Sequence, residues 1–513
     1  MQQMMGDKMK KIINIFAILF LAIIIILNLV FTTYLNAEEC TSISINGLFY
    51  IICNVLLALI LFFSSKYLDK LKDILKKRII TIGVIMFVLF NIIWVLIVNP
   101  NVIGDSVHVC NLAQTFYRGD SQELLSNLTY LGIPLSEYAE NYHQQISLAF
   151  VFSMFFRLIH FDVMEVLRAL NVIGNFLIIY ALYKISMQLS KKYEINKILF
   201  FLLILTFISL PILSTFIYGD TPSIALCLLS VYLMMKYTES KNIKYTIFAS
   251  LLTMIAYMMR MNSLIFIIAT VIYLVLNVIK DFKQNIFKKN ILNFLIIIFY
   301  IAVSIIPAQL VDNYYLDKYN LNRNNSSPTV RYILMAMEES PRGNGWYNEE
   351  IAENAINNPD IKEEYNEKVK ERLQYFANNL GYTFRFYTMK IASMWTENTY
   401  SAIRNNTADD SKFIDNSIWI LTFYQKALLI LTSVCCLINL IQNRKNFSLE
   451  IIFLLLIFIG GFTFHILWEA KSRYIIPYIL VLIPIATIKI EHLAKFKFLD
   501  KFSLKRNKRE KII

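Results

Sequence analysis

Several common chemistries lack their signature in this chain. Its six cysteines, Cys40, Cys53, Cys110, Cys227, Cys435 and Cys436, form no Cys-x-x-Cys pair, so the usual zinc and thiol-redox motifs are missing. No P-loop or comparable nucleotide cradle occurs. There is no internal repeat and no low-complexity linker. The first hydrophobic run has no small-residue cleavage site, so it reads as an uncleaved anchor rather than a signal peptide. Charge is nearly absent from the middles of the long apolar runs. A transporter would be expected to place charged residues or broken helices there.

What the chain does have is apolar length. With 513 residues, 57% of them hydrophobic, it could not hide its apolar surface in water. Continuous runs of roughly 20 apolar residues match the thickness of a bilayer core. Membrane barrels instead alternate apolar and polar residues. The expected fold is therefore all-α, a polytopic helical membrane protein. Its runs fall near 12–31, 46–63, 79–98, 164–187, 197–216, 221–237, 244–258, 262–280, 290–311, 417–441, 448–467 and 474–490, about twelve spans.

The formal net charge of +13 is not a nucleic-acid footprint. Basic residues gather in separate short segments: Lys8–Lys11, Lys66–Arg78, Lys191–Lys197, Lys236–Lys244, Lys280–Lys289, Arg444–Lys445 and Lys495–Lys511. This is the positive-inside pattern, with some attraction to anionic lipid. Parity then decides a short apolar stretch, Ile146–Phe161, which carries Arg157 and His160. If it crossed, the segment Lys191–Lys197 would fall outside. It reads instead as a helix lying in or dipping into the outer interface. Both ends of the chain are then cytoplasmic in the cell membrane. The organisation expected is an N-terminal pair of spans (1–78), a core (79–311) with a first outer loop at 99–163, an outer capping loop (312–416), C-terminal spans (417–490) and a basic tail (491–513). Cys40 and Cys110 share the outer side, where two unpaired thiols or a bridge are both open readings.

Polar residues at the outer ends of the spans are the candidates for chemistry. Asp105 follows the third span in Asn-Pro-Asn-Val-Ile-Gly-Asp-Ser. It reads as a general base at the membrane surface or as a helix N-cap. Asp220, in Tyr-Gly-Asp-Thr-Pro, reads as a cap with Pro222 in the first turn, or as a rigidly held acid facing the same compartment. His465, Glu469, Lys471 and Arg473 crowd the last outer turn, with Trp468 and Tyr474. Glu469 and Arg473 could pair on a helix, or Lys471 and Arg473 could meet a lipid phosphate. Arg260 is a snorkelling cation or a third phosphate ligand. Arg331 and His143 are further outer candidates, and Trp346, in Gly-Asn-Gly-Trp-Tyr, is either a sugar-stacking platform or part of a plain turn. The outer acids would suit a divalent cation, but no tight carboxylate cluster is visible, which leaves metal open.

This layout resembles the GT-C superfamily of membrane glycosyltransferases, which includes protein O-mannosyltransferases and aminoarabinose transferases. The resemblance covers about 79–490, starts at the third span, and is nearest to the hydrophobic proteins of this kind in Gram-positive bacteria. It implies a sugar donor carried on a polyprenyl phosphate, a cell-envelope acceptor, Asp105 as the first-loop catalytic acid and Asp220 as a second acid that orients acceptor or metal. It also implies an interfacial helix at Ile146–Phe161. The chain departs from many members in having Gly-Asp-Ser in place of an Asp-Glu pair, and it lacks the Trp-Trp-Asp triplet of oligosaccharyltransferases. A flippase, transporter or polymerase of lipid-linked saccharides is the alternative.

Overall fold

The computed structural model describes residues 2–36, 38–98, 104–126, 129, 132–158, 163–281, 287–358, 361–404, 412–442 and 447–490. The basic segments at 444–445 and 495–511, and residues 159–161 of the expected interfacial helix, lie outside them. The protein is an all-α polytopic membrane protein. Among the described residues, eight helices are long and apolar enough to cross a membrane: Lys8–Val30, Leu48–Leu68, Asp73–Ile97, Met164–Leu189, Lys197–Thr215, Leu292–Lys318, Ser417–Gln442 and Leu449–Leu467. Helix Asp220–Ser240 and the shorter apolar helices Ile243–Met259 and Ser263–Ile279 pack among them.

Two apolar runs are interrupted, one of them the candidate span Lys197–Thr215. The run at 197–216 stops at Leu205, resumes as Ser209–Ile212 and closes in a 3-10 turn, Leu213–Thr215. A break inside a bundle frees carbonyls that must find donors. Here neighbouring helices supply them. Asn175 donates to Leu210 O at 3.0 Å, Asn171 to Ser214 O at 3.0 Å and Phe216 O at 2.8 Å, and the Trp94 indole to Ile212 O at 3.1 Å. The expected last span at 474–490 also differs. It forms a 3-10 turn, Ser472–Ile475, and two short helices, Ile476–Leu480 and Ile483–Ala486, each opened by a proline. Pro477 and Pro484 have no N–H to extend a preceding helix, and they fit a first turn.

The two ends of the bundle differ in chemistry. At one end Lys191 pairs with Glu239, Lys192 with Glu450 at 2.9 Å, and Lys489 with Asp69 at 2.9 Å and Glu194 at 2.5 Å. At the other end lie the connections that carry Asp105, Asp220, Arg260 and Arg473, joined by the contacts described below. The stretch read as interfacial is the helix Gln144–Leu158. It is wedged against Asp105–Arg118, Ile243–Met259 and Phe287–Lys318, with Ile146, Leu148, Ala149 and Phe152 buried. Helix Phe287–Lys318 runs seven residues beyond the expected end of its span at 311, and the helix-like stretch 361–379 is the helix Lys362–Asn378. All six cysteines are free; Cys110 is buried and Cys40 partly so.

Two lysines buried in the protein act as struts. Lys426 donates to Asn28 O at 3.3 Å, Phe31 O at 2.5 Å and Thr32 Oγ1 at 2.6 Å, which fixes the hairpin Phe31–Leu35/Thr41–Ile45 to the bundle. Lys390, with no exposed surface, donates to Ala336 O at 2.8 Å, Ile466 O at 2.9 Å and Trp468 O at 2.9 Å. An ammonium has three donors, and each lysine uses all of them. Lys390→Met leaves three buried carbonyls without that donor, so a loss of about 3 kcal/mol or more is expected, read as a lowered thermal transition of the purified protein. For topology, exposed positions Lys191 and Lys370 are each replaced by cysteine in a Cys40→Ser background. An impermeant thiol reagent added to intact cells is expected to label only position 370, and labelling at 191 would overturn the expected orientation.

Candidate functional site

The site begins with two glycines in the left-handed region. Gly104 has φ 58° and Gly219 φ 78°. Each is followed at once by a helix whose first residue is an aspartate, Asp105–Arg118 and Asp220–Ser240. A Cβ at Gly219 would sit 2.9 Å from Leu148 Cδ1, so Leu148 would have to shift, and the positive φ itself disfavours any side chain there. Neither aspartate caps its helix through its side chain. Both stand in the first turn, where the helix dipole favours negative charge, and their oxygens are turned to other partners.

Asp105 is half-buried. Its Oδ1 accepts from the Tyr138 hydroxyl and its Oδ2 from the Tyr218 hydroxyl, both at 3.1 Å. The Tyr218 hydroxyl in turn accepts from Gln145 Nε2 at 2.5 Å. Tyr218 therefore links Asp105 to the second acid. Its ring lies 4.4 Å beneath the Arg260 guanidinium, and Arg260 Nε is 3.4 Å from Asp220 Oδ1. Arg473 approaches the same oxygen at 3.6 Å and stacks over Phe216 at 4.2 Å, with Tyr474 near both guanidiniums. Asp220 Oδ2 is buried and has no hydrogen-bond partner among the described residues. The result is one carboxylate between two guanidiniums, all with side chains under 15% exposed. That sub-cluster has net charge +1, which suits an anion.

Lys471 is 2.8 Å from Glu39 at the hairpin tip, and Arg342 reaches the same carboxylate at 3.0 Å and Glu349 at 2.9 Å. Burial opposes the Glu39 charge, but Lys471, Arg473 and Arg342 outweigh it and hold the carboxyl below its ordinary range. Glu469 behaves in the opposite way. Burial pushes its carboxyl up, Lys471 and Arg331 pull it down, and the charges of Glu39 and Asp105 raise it further. It makes no ion pair or hydrogen bond through its carboxylate among the described residues. The expected helical pair between Glu469 and Arg473 does not form, because helix Leu449–Leu467 ends first and Arg473 turns to Asp220.

The other expected residues are more dispersed. His143 is partly buried, its Nε2 lacks a partner among the described residues, and burial lowers its pKa against the pull of Glu140. His465 is 2% exposed beside Tyr474 and Tyr478, with ring centroids 5.5 and 5.8 Å away. Trp346 is 1% exposed and its indole N–H bonds Ser393 Oγ at 2.7 Å, so it is a core residue with no open face for a sugar. Sequence reasoning had passed over Tyr138, Tyr218, Glu39 and Lys390. Tyr218, next but one to Asp220, was the most accessible of these from sequence; the others come from elements remote in the chain. Lys390 anchors the last turn at Trp468, and Ala470 N donates to Gly345 O at 2.7 Å. Among the described residues no group of three or more His, Cys, Asp or Glu side chains is arranged to hold a metal ion.

Residues 144–306 match the dolichyl-phosphate-mannose-protein mannosyltransferase family. The match supports a membrane glycosyltransferase of the GT-C type. The matched segment holds Asp220 and Arg260 and ends before Lys471 and Arg473; Asp105 precedes it. No curated protein matches the chain.

Removing the central carboxylate strands two guanidiniums, Arg473 buried and Arg260 mostly so. Asp220→Ala should therefore cost about 3–5 kcal/mol, the usual penalty for breaking a buried pair. Asp105→Asn, which keeps an acceptor and a donor for the two tyrosines, should cost less than about 1.5 kcal/mol. Thermal unfolding of the two purified variants checks this order, and equal losses would contradict the central role of Asp220.

Proposed function

We propose that the chain moves a sugar from a polyprenyl-phosphate carrier to an acceptor hydroxyl at the outer face of the cell membrane. The observation that carries this reading is the Tyr218 bridge, which sets a lone acceptor carboxylate, Asp105, next to the cationic group Arg260–Asp220–Arg473. The match to a family of lipid-phosphate sugar transferases supports it. So does the gathering of basic segments at the opposite end of the bundle, as the positive-inside rule expects for a cytoplasmic face.

In this reading the lipid phosphate rests against Arg260 and Arg473. Guanidinium forks match its oxygens, and the fixed positive charge stabilises the negative charge that grows there as the carrier leaves. Asp220 holds both arginines in place. The acceptor hydroxyl gives its proton to Asp105, its oxygen bonds the anomeric carbon, and the bond from that carbon to the phosphate oxygen breaks with its electron pair going to the phosphate. Attack opposite the phosphate inverts the anomeric carbon, so a β-linked donor gives an α-linked product. Tyr138 and Tyr218 orient the carboxylate for this transfer. Lys471 is held by Glu39, so it contributes field more than direct contact.

Asp105→Asn tests the reading. Asn fits the same place and keeps the tyrosine contacts, but it cannot take a proton. Transfer from a polyprenyl-phosphate sugar should fall about a hundred- to ten-thousand-fold, with carrier binding nearly unchanged. Near-normal transfer by the variant would remove Asp105 as the base.

A further inference from the structure

Arg331 stands apart from the other buried cations. It lies on the short helix Val330–Met335, is 2% exposed, and is held between the rings of Tyr142 and Tyr332 at 4.7 and 4.6 Å. Nη2 donates to the Tyr332 hydroxyl at 2.7 Å, while Nε and Nη1 are buried without a hydrogen-bond partner among the described residues. No carboxylate of the described residues pairs with it. Lys390 and Lys426, equally buried, each donate to three oxygens. The fold thus satisfies these two buried ammonium groups and leaves this guanidinium, which stays protonated, with two nitrogens, Nε and Nη1, whose N–H groups are idle. A buried charge of this kind is stable only when something meets it.

Its surroundings tie it to the site. Tyr142 packs against Tyr138 at 4.7 Å between ring centroids, and Tyr138 donates to Asp105. Tyr332 stacks on Trp468 at 5.0 Å, and Trp468 adjoins Glu469. Glu469 feels the Arg331 charge without bonding it. Arg331 is thus linked to Asp105 through Tyr142 and Tyr138, and to the last outer turn through Tyr332 and Trp468. Asp220 is shared by Arg260 and Arg473, and Lys471 and Arg342 reach Glu39 and Glu349. Arg331 has no such ion pair among the described residues.

We propose that Arg331 in its tyrosine clamp is a second anion subsite, which takes a phosphate group carried by the acceptor whose hydroxyl is presented to Asp105. The partly buried Tyr332, tied to Gln144 by a 3.5 Å bond, is the wall a ligand displaces to reach Nε and Nη1. The inference rests on the glycosyltransferase reading but is tested without turnover. The simplest probe that carries both a hydroxyl and a phosphate is glycerol phosphate.

Full-length protein in lipid nanodiscs is titrated calorimetrically with glycerol phosphate and, separately, with undecaprenyl phosphate. Arg331→Met should weaken glycerol phosphate binding at least tenfold and leave undecaprenyl phosphate affinity within twofold of wild type. Arg331→Lys, which keeps the charge, should recover part of the loss and serves if the Met variant does not fold. Equal glycerol phosphate affinity in wild type and variants, or none in wild type, overturns the proposal. A loss confined to undecaprenyl phosphate overturns the acceptor assignment and gives Arg331 to the donor. Wild-type protein that binds undecaprenyl phosphate but not glycerol phosphate fails this inference alone; protein that binds neither also fails the glycosyltransferase reading.

Discussion

A single mostly buried carboxylate, Asp220, sets the geometry of one end of this bundle. Two guanidiniums sit within 3.6 Å of its Oδ1, and each is backed by an aromatic ring, Tyr218 under Arg260 and Phe216 under Arg473. At membrane depth such charges persist only when matched, so three connections that are distant in sequence must meet here. They are the turn before helix Asp220–Ser240, the turn after Ile243–Met259, and the last turn at 472–475. Because Tyr218 lies two residues before Asp220, the same meeting brings Asp105 to the cationic group.

Much of the rest serves that arrangement. The break at 206–216 exposes carbonyls that Asn171, Asn175 and Trp94 satisfy, which lets the chain turn inward before Phe216 and Tyr218. Gly219 then reverses the backbone where a side chain would meet Leu148. On the other side, Lys390 joins the end of helix Leu449–Leu467 to Ala336, just beyond the helix that carries Arg331, and Gly345 lets its stem pass, since a Cβ there would lie 2.6 Å from Lys390 Cε. The last turn is thus clamped between the bundle and the segment 330–346.

The helical class and most span positions were legible, because continuous apolar length is a signal carried by each segment alone. The same logic found Asp105, Asp220, Arg260 and Arg473: a polar residue at the end of a span has its depth fixed by the span. Their partners were not legible. Tyr138, Glu39 and Lys390 reach the site through contacts between remote segments, and tyrosine is as common at membrane ends for anchoring as for hydrogen bonding. For Trp346 two readings were open, a sugar platform or a plain turn, and it lies in a turn with its ring inside. A Gly-x-Gly-Trp-Tyr segment looks exposed, yet Ser393 on a later helix draws the indole inside. The run at 474–490 looked like a span because hydropathy does not register that Pro477 and Pro484 divide it into short helices.

The most direct measurement of the central claim is a cryo-electron microscopy structure of the protein in nanodiscs with undecaprenyl phosphate. The account predicts the phosphate density within hydrogen-bonding distance of the Arg260 and Arg473 guanidiniums, with the Asp105 carboxylate facing the adjoining open space and the isoprenoid tail running between helices. Phosphate density at the opposite end, beside Lys191 and Lys192, with the Asp220 cluster unchanged, would contradict it.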